Sequence, residues 1–222
     1  MKSTSVLFTG IFASFAIAWY GLVMIPQNQI GNLQPQVDEE NQDVYPINIA
    51  GEANRGRQVY VAEGCNYCHT QFVRDAHAGP DIEREWGTRR TVARDYIYET
   101  PVTLGYMRNG PDLSNTGAPK ADESKRKYVS DPNWLYTHLY NPRSVVPESI
   151  MPAYRFLFEK RQIVGQRSDD AITLLGTDVV PEGYEVVPKP EAKALVAYLQ
   201  SLDKTHPLKE VKGPAPVAAP AK

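Results

Sequence analysis

Two thiols and an imidazole fall within five residues at Cys65-Asn66-Tyr67-Cys68-His69. At this spacing each sulfur can add across a vinyl group of a porphyrin, while the adjoining imidazole reaches the iron from one side. The chemistry expected is therefore one covalently attached haem c, fastened through Cys65 and Cys68 with His69 as the proximal ligand. Two other uses of a cysteine pair fit less well. A closed zinc site needs four ligands, and beyond the pentad the chain has no second cysteine pair, only the distant His77, His138 and His206. A thioredoxin-like redox pair belongs beside a βαβ pattern, and no strand-rich runs flank Cys65. Both cysteines of the chain are committed, which leaves no disulfide.

The ligand on the other side of the iron decides the redox character. A thioether raises the potential and closes the coordination sphere for electron transfer, whereas an open position suits gas binding or peroxide chemistry. Met1 and Met24 belong to the apolar N-terminus, so Met107 and Met151 remain. Met151 lies in Pro147-Glu148-Ser149-Ile150-Met151-Pro152-Ala153-Tyr154, where a proline at each end stiffens the loop. Met151 is the expected distal ligand, with Met107 or a histidine as alternatives and a gap-filling core methionine as the plain reading. Arg74 and Arg143 are candidates to bind haem propionates, since a guanidinium grips a carboxylate at two points; each reads equally as a solvated charge. His138 shares a helical face with Trp134, Leu135 and Leu139, and reads first as a packed or hydrogen-bonded histidine, then as a haem contact.

Positioning these groups falls to a chain of 222 residues, enough for one globular domain with appendages. Val6 to Ile25 carries no charge. Its twenty residues, at about 1.5 Å each, span about 30 Å of hydrocarbon, and Trp19 and Tyr20 near the end suit an interfacial belt. Met24-Ile25-Pro26-Gln27-Asn28 offers no small-residue cleavage site, so residues 1–25 read as a retained anchor rather than a leader. Lys2 precedes the span, while residues 26–54 hold Asp38, Glu39, Glu40, Asp43 and Glu52 without a Lys or Arg. That asymmetry puts the N-terminus in the cytoplasm and the haem domain in a bacterial periplasm.

Residues 26–48, rich in Gln, Asn, Pro and acids, read as an extended linker, and residues 49–203 as the haem domain. A short helix through Val59 and Tyr60 runs into the pentad. Gly56 on it permits close approach of another backbone, expected to be the helix from Glu191 to Leu202 with its stripe of Ala194, Leu195, Tyr198, Leu199 and Leu202. Residues 204–222, Pro, Ala and Lys in the main, are expected to be disordered. The charges from Asp81 to Asp95 and from Lys120 to Asp131 read as solvated faces, one of them a possible subunit interface. A net charge of −2, with no basic stripe among aromatics, argues against nucleic acid. No internal repeat suggests a multihaem array.

Gly110-Pro111-Asp112-Leu113 resembles the Gly-Pro-x-Leu element of class I cytochromes c, in which the proline carbonyl accepts the proximal histidine's other ring proton. By that likeness Pro111 orients His69, and Leu113 joins the haem-binding residues. Cys65 to Arg74, Leu104 to Asn115, His138 to Arg143, Pro147 to Tyr154 and Ala192 to Leu202 together resemble the monohaem cytochrome c subunit of cbb3-type haem-copper oxidases, the FixO family. The resemblance implies an all-α, class I cytochrome c domain with long loop insertions, preceded by one transmembrane helix. Its implied partners are a catalytic haem-copper subunit, a multihaem c-type subunit and a c-type electron donor. Its implied role is electron relay, with no bond-making on this chain. The small cytochrome c subunit of a nitric oxide reductase and a free membrane-tethered shuttle are the alternatives.

Overall fold

The computed structural model describes residues 2–38, 43–118 and 131–211. The chain divides into two compact units, residues 1–47 with 92–98, and residues 48–91 with 99–222.

The first unit opens with α1 (Lys2–Trp19), a π-helical stretch (Tyr20–Met24) and α2 (Ile25–Ile30), which follow one another without a break. Pro26 explains the middle piece. Proline lacks an N–H and its ring crowds the carbonyl four residues earlier, so the turn before it widens, and the Ile25 N–H bonds the carbonyl of Tyr20 instead. The helical run from Ser3 to Ile30 is long and apolar enough to cross a membrane, and Leu7, Phe8, Phe12, Phe15 and Leu22 all stand exposed along it. Helix thus continues past the expected boundary at Ile25. The segment expected to be an extended linker also holds a two-stranded antiparallel ladder, β1 (Gln36–Asp38) with β2 (Asp43–Tyr45). Residues 92–98 close on it: the Tyr45 hydroxyl donates to Asp95 at 2.8 Å, and Asp95 in turn accepts the Val92 N–H at 2.8 Å.

The second unit is built on α3 (Gly51–Ala62), α4 (Pro132–Tyr140), the single turn α5 (Pro142–Val145) and α6 (Pro190–Ser201). A Cβ on Gly56 would lie 1.8 Å from the Ala194 carbonyl oxygen, so α3 and α6 cross backbone against backbone. Around the crossing Tyr60, Leu135, Leu139, Leu195, Tyr198 and Leu199 form the core. Asp131 caps α4 by accepting the Asn133 N–H at 2.9 Å, and Pro142 opens α5 immediately after α4 has ended at Asn141.

Helices do not account for everything. After Met151 the chain forms a second antiparallel ladder, β3 (Phe158–Gln162) with β4 (Tyr184–Pro188), in register from Phe158 opposite Pro188 to Gln162 opposite Tyr184. The all-α expectation is corrected to a helical framework carrying two small antiparallel ladders.

The tail also differs from its expectation of disorder beyond Asp203. Leu208 is buried, the Lys204 N–H donates to Asn115 Oδ1 at 2.7 Å, and Lys204 Nζ lies 2.9 Å from Glu99. Residues 204–211 therefore pack on the domain, while the rest of the expected tail and all but Asp131 of the charged run from Lys120 to Asp131 lie outside the described residues.

Candidate functional site

Gly64, at φ +72°, ends α3 in the left-handed region, and the chain turns at once into a 3₁₀ turn over Cys65–Tyr67. The His69 N–H bonds the Cys65 carbonyl at 3.0 Å, so His69 sits one helical turn after Cys65. Cys65 is half-buried and Cys68 exposed, both with free thiols. Burial pushes the Cys65 thiol up to about 11, so it is protonated at neutral pH.

A second segment, residues 104–113, is bound along this turn by its main chain. Gln71 N donates to Leu104 O at 2.8 Å, Tyr106 N to Asn66 O at 2.9 Å, Gly110 N to Cys68 O at 3.0 Å and Leu113 N to Thr70 O at 2.8 Å. His69 Nδ1 lies 2.8 Å from the Pro111 carbonyl oxygen. A carbonyl only accepts, so Nδ1 carries the proton and Nε2 keeps its lone pair. A Cβ on residue 110 would fall 2.3 Å from His69 Cε1, so glycine is what lets this segment lie against the ring. Burial lowers the His69 pKa, with the Pro111 hydrogen bond opposing, and the imidazole stays in the neutral form that binds metals.

Asp112, whose part the sequence did not reveal, ties the two segments together. Buried, it accepts from the Thr70 hydroxyl at 2.6 Å and from the Phe72 and Ser114 N–H groups, each at 2.9 Å. A carboxylate beside the Gly-Pro element was the available signal.

Met151 is half-buried and packs against the same core as Cys65, Leu113, Trp134 and Tyr154. Its loop is held from several sides: Arg143 Nε donates to the Ser149 carbonyl at 3.1 Å, Ser149 Oγ accepts the Met151 N–H at 3.2 Å, and the Tyr154 N–H reaches Leu139 O at 2.8 Å. Met107 is 51% exposed on the loop leading to Gly110.

Arg74 has a partner inside the protein. Its Nη2 lies 2.8 Å from the wholly buried Asp81, whose carboxylate also takes Arg108 Nη1 at 2.6 Å. Burial opposes the charge of Asp81, but the two guanidiniums prevail and hold its carboxyl well below the usual range. Arg108 further stacks on Phe72 and Trp86, with its guanidinium carbon 4.7 and 5.4 Å from the ring centres. Nothing in the sequence pairs Asp81 with Arg108, because the segments between them are irregular.

His138 packs against Trp134. Its ring stacks on Trp134 at 4.7 Å and 7°, and its buried Nδ1 has no hydrogen-bond partner among the described residues. His77 pairs with Asp75 at 2.8 Å in an exposed position. Among the described residues no group of three or more His, Cys, Asp or Glu side chains could hold a bare metal ion.

Residues 1–179 match the family model described as cytochrome c oxidase, mono-heme subunit/FixO. No curated protein gives a significant match. The haem that this family implies fits the residues present: two free thiols, an imidazole with Nδ1 engaged and, among the described residues, no partner on Nε2, and half-buried apolar walls.

Proposed function

The chain belongs to the FixO family of mono-haem cytochrome c oxidase subunits, and from that premise we propose that it is the electron-relay subunit of a cbb3-type terminal oxidase. It takes electrons from a c-type donor and passes them to the catalytic haem-copper subunit, beside a multihaem c-type subunit. The N-terminal helix anchors it in a bacterial inner membrane, N-terminus in the cytoplasm and domain in the periplasm. Residues from Ile49 onward form a monohaem domain of the class I cytochrome c kind.

A bound haem supplies a one-electron iron couple. The chain's residues hold and tune it. Cys65 and Cys68 fasten it by thioether bonds, His69 offers Nε2 to the iron, and the Pro111 carbonyl fixes the plane and tautomer of that ring. Met151 offers its thioether from a loop secured through Ser149 and Tyr154. Leu113 and Trp134 wall the site against water. Arg74 spends Nε and Nη2 on Asp81, whereas among the described residues Arg143 commits only Nε, so the propionate role falls to the Nη nitrogens of Arg143.

The observation that carries this reading is the Nδ1–H of His69 bonded to Pro111 beside two free thiols. Visible and near-infrared spectra of the membrane-extracted protein test it, with Met151→Ala alongside. A low-spin c-type spectrum with a methionine-to-iron charge-transfer band, absent from the variant and unaffected by carbon monoxide in the wild type, is expected. Ready carbon monoxide binding by the wild type, or a band that survives in Met151→Ala, overturns the ligand assignment.

A further inference from the structure

Pro111 supplies the acceptor that fixes the His69 ring, so whatever fixes Pro111 bears on that ring in turn. Residues 104–113 form no helix or strand of their own. Beyond the main-chain bonds that tie them to the Cys65–His69 turn, two side chains hold them, one on each side of Gly110-Pro111. Asp112 accepts the Phe72 N–H at 2.9 Å, and Arg108 Nη2 donates to the Phe72 carbonyl at 2.8 Å. Both polar groups of the Phe72 main chain are therefore gripped by residues that bracket the proline.

Arg108 is itself fixed. Its Nη1 reaches the buried Asp81 at 2.6 Å, and its guanidinium carbon sits over the Phe72 and Trp86 rings, 4.7 and 5.4 Å from their centres. A planar fork can answer Asp81 and the Phe72 carbonyl while stacking on both rings; the compact ammonium of a lysine does not reproduce that combination.

We infer that Arg108 is a positioning residue: by gripping Phe72 and Asp81 it keeps the Pro111 carbonyl at hydrogen-bonding distance from His69 Nδ1, and so sets the potential of the haem through the proximal histidine. The inference rests on the haem-site reading above. A well-placed acceptor on Nδ1 makes Nε2 a more basic ligand, which favours the ferric iron and holds the potential down. Loosening the segment therefore raises the potential. Arg108→Lys keeps the positive charge, so its effect reports position rather than charge.

The test uses the full chain purified in detergent with its haem. On ¹⁵N-histidine-labelled ferrous protein, NMR finds the Nδ1–H resonance of His69 shifted upfield and exchanging faster in Arg108→Lys than in wild type, and the midpoint potential is higher. Trp86→Leu, which removes one face of the stack and no charge, moves both in the same direction by less. Arg161→Lys, which weakens the 2.8 Å Arg161–Glu185 pair on the β3–β4 ladder, lowers stability and moves neither. In ¹⁵N-arginine-labelled wild type the Nη protons of Arg108 resolve separately because the fork is held; averaged signals overturn the inference whether or not the variants fold. An unmoved Nδ1–H resonance, or a potential that is unchanged or lower, in haem-replete Arg108→Lys also overturns it and leaves the haem site standing. Absence of covalent haem from denatured wild type would instead sink the underlying reading.

Discussion

The Asp112 carboxylate answers one hydroxyl and two main-chain N–H groups at the seam between the Cys65–His69 turn and the Gly110–Leu113 segment. Asp112→Ala leaves them unpaired in a buried place, at about 1–3 kcal/mol for each group. A total loss of about 3 kcal/mol or more is expected from denaturant unfolding of the full chain, and Asp112→Asn, which keeps one acceptor oxygen, loses less. A loss below about 1 kcal/mol for alanine would mean that water replaces the carboxylate. Asp81 gives a pH signature. Its folded pKa is depressed, so its contribution is fully present above the ordinary carboxylate range and is lost as pH falls toward the folded value. The stability difference between wild type and Asp81→Asn should therefore hold constant from pH 7 to about 5 and shrink steadily below about 4. A difference that stays flat down to pH 2 would show that the ion pairs add nothing to stability. The two aspartates also show how much of the site the sequence could disclose. Cys65, Cys68 and His69 stand at the spacing that haem attachment imposes, whereas Pro111 was legible only through the likeness of Gly110-Pro111-Asp112-Leu113 to the class I cytochrome c element. Asp81 meets Arg74 and Arg108 through irregular backbone that leaves no period to read.

At the α3–α6 crossing two opposed effects can be weighed. Replacing a helical glycine by alanine gains about 1 kcal/mol of helix propensity. At Gly56 the new methyl would meet a backbone oxygen at 1.8 Å, and Tyr198 Cβ at 2.7 Å, so the helices must separate. Overpacking of this kind costs about 1–3 kcal/mol, often more against main chain. Gly56→Ala should accordingly lower the thermal midpoint of the full chain and Gly56→Val lower it further, followed by far-ultraviolet circular dichroism. A midpoint raised by alanine would mean the crossing yields cheaply. The two helices were legible because their apolar residues recur at helical spacing, and α6 runs from Pro190 to Ser201, close to the range read from sequence. The β3–β4 ladder was not. In β3 only Phe158 is buried, so Glu159 to Gln162 shows no alternation of apolar and polar residues. Residues 204–211 were read as tail for a related reason. What holds them is largely main-chain bonding, such as His206 O accepting from Arg89 Nε at 2.8 Å, together with the buried Lys204–Glu99 pair, and neither has a compositional signature.

For the molecule as a whole the decisive question is whether the N-terminal helix stays. A helix from Ser3 to Ile30 has 28 residues, about 42 Å at 1.5 Å per residue. That exceeds a hydrocarbon core of about 30 Å and leaves roughly two turns for the interface beyond it. Gln27, Asn28 and Gln29 are uncharged but polar, which disguised the continuation as linker, yet they suit the headgroup region. A cleaved leader has a shorter apolar core and gives no reason for a π-helical stretch that carries helix through Pro26. Retention also bears on function, since tethering raises the concentration of a relay haem at its acceptor far above that of a free carrier. The membrane-extracted protein should therefore have the intact mass of the 24.8 kDa chain plus one haem, and it should resist extraction by alkaline carbonate. Protease added to spheroplasts should digest the haem domain while a cytoplasmic control survives. A mass short of the N-terminal helix, with haem-bearing protein in the soluble periplasmic fraction, would make the segment a leader and the protein a diffusing carrier. Deleting residues 2–30 behind an exported leader separates the roles of helix and domain. Covalent haem should be retained, while oxidase activity of the complex falls to the level set by free diffusion.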